Sequence, residues 1–409
     1  PIRQPCATFP PPLPEHDGVT PPPLPRRFLR RYHEPVGHEP VPGVFWVFFH
    51  TVYLGIVWGF GFVTLFVGLA VLAALPVLQF LSLGYLLEAS GRVARTGRLR
   101  DGFVGVRTAA RVGGIVLGTF LVSIPLWVVS DWAYDAEIVD GGGKVAQGWR
   151  IGLFVLMAIT MLHVALAWAC GGRLWRFFWP LNFVTLLMRV ARGGYYAKCR
   201  DGVWDFAVGL RLPYYFWLGL RGFVVAFAWL VVPASLLAVG HADFALAPLV
   251  GFGGAVLMGL VLLYLPFLQT RMAAANRLAD GFAWWAARME YRRAPWAYSF
   301  AFVITLLFAV PLYLLKIEIV PREAAWLPGL VFIAFIFPAR LLTGWAVGRA
   351  RKREAPRHWF FRWTGRLPFV PVAAFYVIIV FFTQYTSWNG VWSLYEQHAF
   401  LVPVPFFGM

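Results

Sequence analysis

The stretch GGIVLGTFLVSIPLWVV, Gly113–Val129, decides the fold because it carries no charge and does not alternate polar with apolar residues. A second stretch of this kind, AFVITLLFAVPLYLL, runs from Ala301 to Leu315. About 20 apolar residues cross a roughly 30 Å hydrocarbon core as a helix. A strand of a membrane barrel would alternate instead. Both stretches therefore predict transmembrane α-helices.

The composition of the whole chain indicates the same class. Its 409 residues are 60% hydrophobic and 18% aromatic, only 13% are charged, and the mean hydropathy is +0.67. Soluble domains carry about 25% charged residues. Inside a bilayer, backbone polar groups are satisfied only in helices or closed barrels. We therefore predict an all-α fold, that of a polytopic helical integral membrane protein.

The predicted number of transmembrane helices is nine, with eight as the alternative. The first two share one apolar run, Val44–Leu87, which is too long for a single crossing. Gly59, Gly61 and Gly68 are the candidates for its turn, and one long broken helix or a re-entrant pair is the alternative. The predicted spans are 44–64, 66–87, 112–129, 151–171, 215–239, 249–268, 297–315, 326–345 and 368–384.

The basic residues predict the orientation. Loops that stay in the cytoplasm are enriched in Lys and Arg. With the N-terminus inside, only Lys144, Arg150, Lys316 and Arg322 of the 36 basic residues fall in or beside outer loops. The expected location is a bacterial inner membrane, with the N-terminus cytoplasmic and the C-terminus extracytoplasmic. Three regions follow: a proline-rich basic arm (1–43), a transmembrane domain (44–384) and an aromatic extracytoplasmic tail (385–409).

Short basic segments between the spans, which we call elbows, resemble one another. The first reads RVARTGRLRDGF (Arg92–Phe103), the second RVARGGYYAKCRDGV (Arg189–Val203) and the third ANRLADGF (Ala275–Phe282). LPVLQ at Leu75–Gln79 precedes the first elbow, and LPFLQ at Leu265–Gln269 precedes the third. Internal symmetry of this kind is typical of duplicated helix bundles. Convergence of arginine-rich loops explains the same matches, so possible internal repeats remain a hypothesis.

The elbows are also the predicted lipid-binding elements. Charges at spacings of three and four between Arg92 and Arg111 predict a basic amphipathic helix on the cytoplasmic surface. Anionic membrane lipids are the expected partners, and nucleic acid is not. The predicted headgroup-binding residues are Arg92, Arg95, Arg98, Arg100, Arg189, Arg192, Arg200 and Arg277.

Candidate chemistry is sparse. His50 and His163 lie within apolar stretches, where an imidazole can bind haem, but neither span carries a second histidine. HEPVGHEPVP, His33–Pro42, contains metal-ligand residue types, yet its prolines favour a stiff linker. The three cysteines form no CxxC pair. We therefore predict no catalytic residue, no metal site and no cofactor, with haem binding at the two histidines as a weak alternative.

The N-terminal arm predicts a docking segment. PPPLP occurs at Pro10, Pro11, Pro12, Leu13 and Pro14, and again at Pro21, Pro22, Pro23, Leu24 and Pro25. Proline-rich segments adopt polyproline II, which recognition grooves bind at low entropic cost. The leading hypothesis is therefore a non-catalytic subunit of a multi-protein membrane complex. A transporter for a small molecule or lipid is the alternative, and a haem- or quinone-binding electron-transfer subunit is the third.

Overall fold

The structure is a computed structural model that describes residues 44–179, 181–314, 326–387, 390–396 and 400–401. It is 85% helical, and its described residues form no strand. The chain divides into two compact units, Pro1–Leu54 and Gly55–Met409. Only the first turns of the first helix are described in the first unit, so the packing below is that of the second unit.

Fourteen α-helices follow one another in the described residues. They are α1 (Val44–Ala74), α2 (Gln79–Thr96), α3 (Val106–Val139), α4 (Lys144–Ala169), α5 (Leu174–Phe178), α6 (Asn182–Ala191), α7 (Tyr195–Gly209), α8 (Leu212–Val239), α9 (Ala247–Ala275), α10 (Trp284–Arg293), α11 (Pro295–Leu314), α12 (Trp326–Arg351), α13 (Trp359–Thr364) and α14 (Phe369–Thr386). Short 3₁₀ turns lie at Leu99–Gly102, Leu278–Gly281 and Gly390–Tyr395.

Among the described residues, eight helices are long and apolar enough to cross a membrane. They are α1, α3, α4, α8, α9, α11, α12 and α14. Each predicted span from 112–129 onward corresponds to one of these helices. The prediction of a polytopic helical membrane protein is confirmed.

The first two predicted spans were divided at the wrong place. Residues 44–74 form one helix of 31 residues that continues through Gly59, Gly61 and Gly68. The chain turns instead at residues 75–78, where Pro76 interrupts the helix and Val77 adopts a left-handed backbone with φ +67°. Proline lacks the amide proton that a continuing helix needs. The glycines do not break α1, because a glycine lowers helix stability by only about 1 kcal/mol relative to alanine.

Helix α2 is the central helix of the bundle and the most polar of the long helices. Gln79, Ser82, Glu88 and Ser90 are all buried in it, between α8, α9 and α12. Because protein rather than lipid surrounds α2, its polar side chains find partners, and it does not need to be apolar on every side. This explains why α2 falls outside the apolar set although its 18 residues are about 27 Å long.

Glycine brings the neighbouring helices into backbone contact with α2. A Cβ atom at Gly84 of α2 would overlap the carbonyl oxygen of Tyr215 in α8, and one at Gly219 of α8 would overlap that of Phe80. Gly344 of α12 lies against the carbonyl oxygen of Ser90 in the same way. Small residues allow such close helix packing within membranes. The buried core of the second unit therefore forms around α2.

Helices α3 and α4 form a hairpin at the periphery of the bundle. Only 17% of the apolar window of α3 and 11% of that of α4 are buried, against 61% for α12. At its tip, the rings of Trp132 and Trp149 contact at 5.6 Å, and Glu137 pairs with Arg150 at 2.9 Å. The hairpin is thus braced internally, while the described part of the chain leaves most of its outer faces exposed.

The C-terminal segment packs on the bundle of its own chain. Ser393 donates to Thr383 of α14 at 3.2 Å, and the hydroxyls of Tyr395 and Ser235 of α8 lie 3.0 Å apart. Phe400 and Leu401 are buried in the core. Irregular backbone at membrane depth is tolerated where protein surrounds it. Within the described part of the predicted tail (385–409), Ser393, Leu394, Phe400 and Leu401 are therefore buried against the bundle.

Candidate functional site

A buried carboxylate organises the end of α2. Glu88 is 3% exposed, and its Oε1 accepts hydrogen bonds from Arg92 Nε at 3.0 Å and Arg95 Nη2 at 2.9 Å. Its Oε2 accepts from the Tyr214 hydroxyl of α8 at 2.7 Å. Arg95 also donates to the carbonyl oxygen of Ala273 in α9 at 3.2 Å. Glu88 therefore ties the end of α2 to α8 and, through Arg95, to α9.

A second buried carboxylate, Glu290 of α10, is surrounded by the same residue types. Its Oε1 accepts from Arg271 of α9 and, at 3.4 Å, from Arg351 of α12. Its Oε2 accepts from the Tyr298 hydroxyl of α11 at 2.9 Å. Each carboxylate thus holds two guanidinium groups and one phenol. Hydrogen bonds to charged groups are stronger than neutral ones, so both sites act as clamps between helices.

Tyr291, next to Glu290, adds a contact that does not depend on pH near neutrality. Its hydroxyl donates to the carbonyl oxygen of Arg362 in α13 at 2.7 Å. Burial raises the pKa of Tyr291 to about 12. The phenol therefore stays protonated at physiological pH and remains a hydrogen-bond donor.

The first and third elbows have the same backbone conformation. Gly97 (φ +72°) and Asn276 (φ +54°) end α2 and α9 in the left-handed region. An extended arginine follows in each, Arg98 with φ −119° and Arg277 with φ −127°, and then a 3₁₀ turn of sequence Leu-x-Asp-Gly. Their similarity therefore extends from sequence to structure.

The second elbow is built differently. Its Arg200-Asp201-Gly202 triplet lies inside α7 instead of in a 3₁₀ turn. The two LPxLQ motifs also differ, since Leu75–Gln79 spans the break before α2 whereas Leu265–Gln269 lies inside α9. The structural similarity is therefore limited to the ends of α2 and α9 and the elbows that follow them.

The segment from Arg92 to Arg111 does not form the single interfacial helix that its charge spacing predicted. Arg92 and Arg95 belong to α2, a 3₁₀ turn covers Leu99–Gly102, and α3 begins at Val106. The cause is the left-handed Gly97, which ends α2 and redirects the chain. Short helices do occur between the later spans, namely α5, α6 and α7 between α4 and α8, α10 between α9 and α11, and α13 between α12 and α14.

The predicted headgroup-binding arginines occupy several different environments. Arg92 and Arg95 pair with Glu88, and Arg200 pairs with Asp201 at 2.9 Å. Arg98, Arg100 and Arg277 are exposed on the elbows. Arg192 lines the cavity described below. Arg189 lies on α6, and its side chain falls outside the described residues. The proline segments 10–14 and 21–25 also fall outside them.

The two histidines have the following positions. His163 lies on α4, and its Nε2 is 2.8 Å from the carbonyl oxygen of Phe177, which makes this nitrogen the protonated one. A protonated nitrogen cannot ligate iron, so haem ligation by His163 would use Nδ1 or require this bond to break. His50 lies on α1 in the first unit with an exposed side chain.

A cavity of about 1,270 Å³ lies between α3, the end of α4 and the short helices α5, α6 and α7. Four arginines line it: Arg111, Arg173, Arg176 and Arg192. Its apolar wall consists of Val112, Ile115, Val116, Trp168, Val203 and Phe206. We call this space the basic cavity. It combines an anion-binding composition with an apolar lining.

The polar backbone around the basic cavity is held by side-chain hydrogen bonds. The Tyr195 hydroxyl of α7 donates to the carbonyl oxygen of Ala169 at the end of α4. Asn182 Nδ2 of α6 donates to the carbonyl oxygen of Arg176 in α5 at 2.5 Å. Gly171 and Gly172, both with positive φ, turn the chain between α4 and Arg173. These contacts fix the segment that carries Arg173 and Arg176.

Sequence reasoning identified Arg192 but missed Arg111, Arg173 and Arg176. A signal was present, because CGGR (Cys170–Arg173) and RGG (Arg192–Gly194) place a double glycine beside an arginine on both sides of α5 and α6. Two such turns bring the chain back toward itself. The contribution of Arg111 is a tertiary effect, since about 60 to 80 residues separate it from the others.

Fold and site together define a polytopic helical membrane protein with two buried carboxylate clamps and a basic cavity. Comparison with known proteins finds no matching family model, no matching curated protein and no matching solved structure.

Proposed function

We propose that this chain is a non-catalytic integral subunit of a multi-protein complex in a bacterial inner membrane. The observation that carries the proposal is the tip of the α3–α4 hairpin. The apolar stretch of α3 before Asp131, residues 112–130, is about 28 Å long as a helix and already matches a roughly 30 Å hydrocarbon core. The residues that follow it lie at or beyond the lipid interface.

The hairpin tip presents apolar side chains on an acidic background. Tyr134 is 69% exposed and Ile138 67% exposed, and they lie on one helix face because they are four residues apart. Asp131, Asp135, Glu137 and Asp140 surround them in sequence. Exposed apolar residues rimmed by charge are typical of protein–protein contact sites. The occupant we propose is another subunit of the complex.

The closed core of the bundle supports a structural role. Helix α2 fills the centre, and Phe400 and Leu401 of the same chain are buried against it and its neighbours. The proline-rich arm would then provide a second contact with partners, through the two PPPLP segments. Two contacts on one chain gain avidity from high effective concentration.

The proposed topology places the N-terminus inside and the C-terminus outside. It requires α2 as a ninth crossing, for which its length of about 27 Å is sufficient. The support is the distribution of the basic residues. In intact cells, a cysteine at position 140 should react with an impermeant thiol reagent and one at position 358 should not. The reverse pattern contradicts this topology.

The subunit proposal is tested by replacing Tyr134 and Ile138 together with alanine. The full chain is purified in mild detergent from its native membrane, and its co-purifying chains are identified by native mass spectrometry. We expect at least one partner at fixed stoichiometry, and we expect the double variant to lose it. The matched control is Phe300→Ala with Phe375→Ala, which removes two side chains of similar exposure on α11 and α14.

The second candidate function is a transporter for a small molecule or lipid. The matching units of α2 with its elbow and α9 with its elbow favour it, since many transporters contain internal repeats. A lone monomer or a homodimer in the same mass spectrum would contradict the subunit proposal and support this one.

A further inference from the structure

We propose that the basic cavity binds the phosphate headgroup of an anionic phospholipid, with the first part of its acyl chains against the apolar wall. This inference is independent of the subunit function. The cavity of about 1,270 Å³ exceeds the roughly 300–1,000 Å³ of most small-molecule pockets. It therefore has room for a headgroup together with chain segments.

The charge of the cavity selects an anion. The described residues that line it include four arginines and no acidic residue. Within the described part of the chain, none of Arg111, Arg173, Arg176 and Arg192 forms an ion pair. Asp201 of the adjacent helix α7 pairs with Arg200. The arginines around Glu88 and Glu290 are paired with those carboxylates. The positive charge of the cavity arginines is therefore available to an anionic ligand.

Arginine is well suited to phosphate. Its planar guanidinium donates two parallel hydrogen bonds to phosphate oxygens, and it is always charged. Arg173 and Arg176 come from one braced segment around α5, whereas Arg111 and Arg192 come from α3 and from the end of α6. Donors from separate elements can surround a phosphate group from several sides.

The order of residues along α3 selects a lipid over a free ion. Arg111 lies where the apolar stretch of α3 begins, and Ile115 and Val116 of the cavity wall lie one turn further into that stretch. The apolar stretch of α4 ends with the helix at Ala169, a few residues before Arg173. The cavity thus has its charges at the end of the apolar stretches and its apolar wall further into them. A phospholipid has the same order, because its phosphate lies at the membrane surface and its acyl chains lie below. Basic pockets between membrane helices bind such headgroups.

The experiment measures lipid binding to the full chain in mild detergent. Phosphatidylglycerol or phosphatidylcholine is titrated in, and bound lipid is counted by native mass spectrometry. We expect phosphatidylglycerol to bind at least about tenfold more tightly than phosphatidylcholine. Arg173→Gln with Arg176→Gln should weaken phosphatidylglycerol binding by at least about tenfold.

The matched control removes the same charge from an exposed elbow. Arg98→Gln with Arg100→Gln should change the affinity by less than about threefold, because surface charge contributes only long-range attraction. Equal losses in the two double variants would overturn the proposal, as would equal binding of the two lipids. If Arg173→Gln with Arg176→Gln does not fold, Arg111→Gln, on the exposed start of α3, serves as the second variant and should weaken binding by at least about threefold.

Competition with inorganic phosphate distinguishes a phospholipid headgroup from a free phosphate ion as the ligand of the basic cavity. Because the apolar wall contributes only to a lipid, phosphate should not displace phosphatidylglycerol at equal concentration. Displacement at equal concentration would assign the cavity to the free ion and overturn the lipid proposal.

Discussion

Glu88 shows how one buried acid can organise several basic residues. The spacing of the charges predicted that Arg92 and Arg95 face the membrane surface. In the structure, both side chains contact the same oxygen of Glu88. The carboxylate is desolvated, so it depends on these partners and on the Tyr214 hydroxyl. The arginines remain partly exposed, with 39% of each side chain accessible, and they retain some hydration. These contacts therefore stabilise the fold mainly because they provide the buried Glu88 carboxylate with hydrogen-bond donors.

Replacing Glu88 with Gln should lower the free energy of unfolding by about 2–3 kcal/mol. The amide has the size of the carboxylate and still accepts from Tyr214, but it leaves two guanidinium groups without a counter-charge. Denaturant titration in detergent measures the loss. The control is Glu137→Gln. The pair of Glu137 with Arg150 is exposed and should contribute at most about 1 kcal/mol to the free energy of unfolding. Equal effects of the two substitutions would mean that Glu88 is no more than a surface partner.

At the scale of elements, the packing of α2 against α8 depends on two glycines. Gly84 and Gly219 face each other so closely that a side chain on either would overlap the opposite backbone. Backbone cannot move aside as a flexible side chain can. The two helices would have to separate, and separation would also weaken the bond between Glu88 and Tyr214.

Gly84→Ala should therefore destabilise the protein by at least about 2 kcal/mol, through overpacking. Melting in detergent, followed by the loss of helical circular dichroism, measures this effect. Gly259→Ala is the control, because that glycine of α9 has no atom within 4 Å of an added Cβ. It should be neutral or stabilising by up to about 1 kcal/mol, since alanine favours helix. A tolerated alanine at position 84 would contradict the proposed α2–α8 contact.

The sequence predicts the apolar helices because lipid imposes the same requirement on each of them. It does not place α2 correctly, because Glu88 marks the end of a span only if lipid surrounds it. Its partner Tyr214 is more than a hundred residues away. The elbows are a finer case. RLRDGF at 98–103 and RLADGF at 277–282 form the same turn, whereas KCRDGV at 198–203 lacks the leading Arg-Leu and continues as helix.

The candidate site was predictable only in part. The sequence indicated that basic residues between spans meet the membrane surface, which remains a prediction for Arg98, Arg100 and Arg277. It could not show that Arg92 and Arg95 bind Glu88 inside the protein, because a pattern of charges does not reveal which side chains become buried. The basic cavity brings together residues 111, 173, 176 and 192 from three regions. Only the fold brings these residues together.

At the scale of the whole molecule, the chain returns to its own core at the C-terminal end. The Phe400 carbonyl oxygen accepts from Gln269 Nε2 of α9 at 2.9 Å, and the same nitrogen donates to Gly222 of α8 at 3.0 Å. The Phe400 ring is 6.3 Å from that of Tyr376 in α14. The segment thus links three spans that are far apart in sequence, and it fills space that would otherwise be open.

Phe400→Ala should therefore lower the free energy of unfolding by about 3–5 kcal/mol, the usual effect of deleting a buried phenylalanine ring. Phe375→Ala is the matched control, because that ring is exposed on α14, and it should change stability by less than about 1 kcal/mol. Both variants keep the backbone bond from Gln269, so the difference between them reports side-chain packing alone. Denaturant titration of the two variants in the same detergent gives the comparison. Equal stability of the two variants would show that the C-terminal segment does not contribute to the core. The subunit proposal would then lose the support that it takes from a closed bundle.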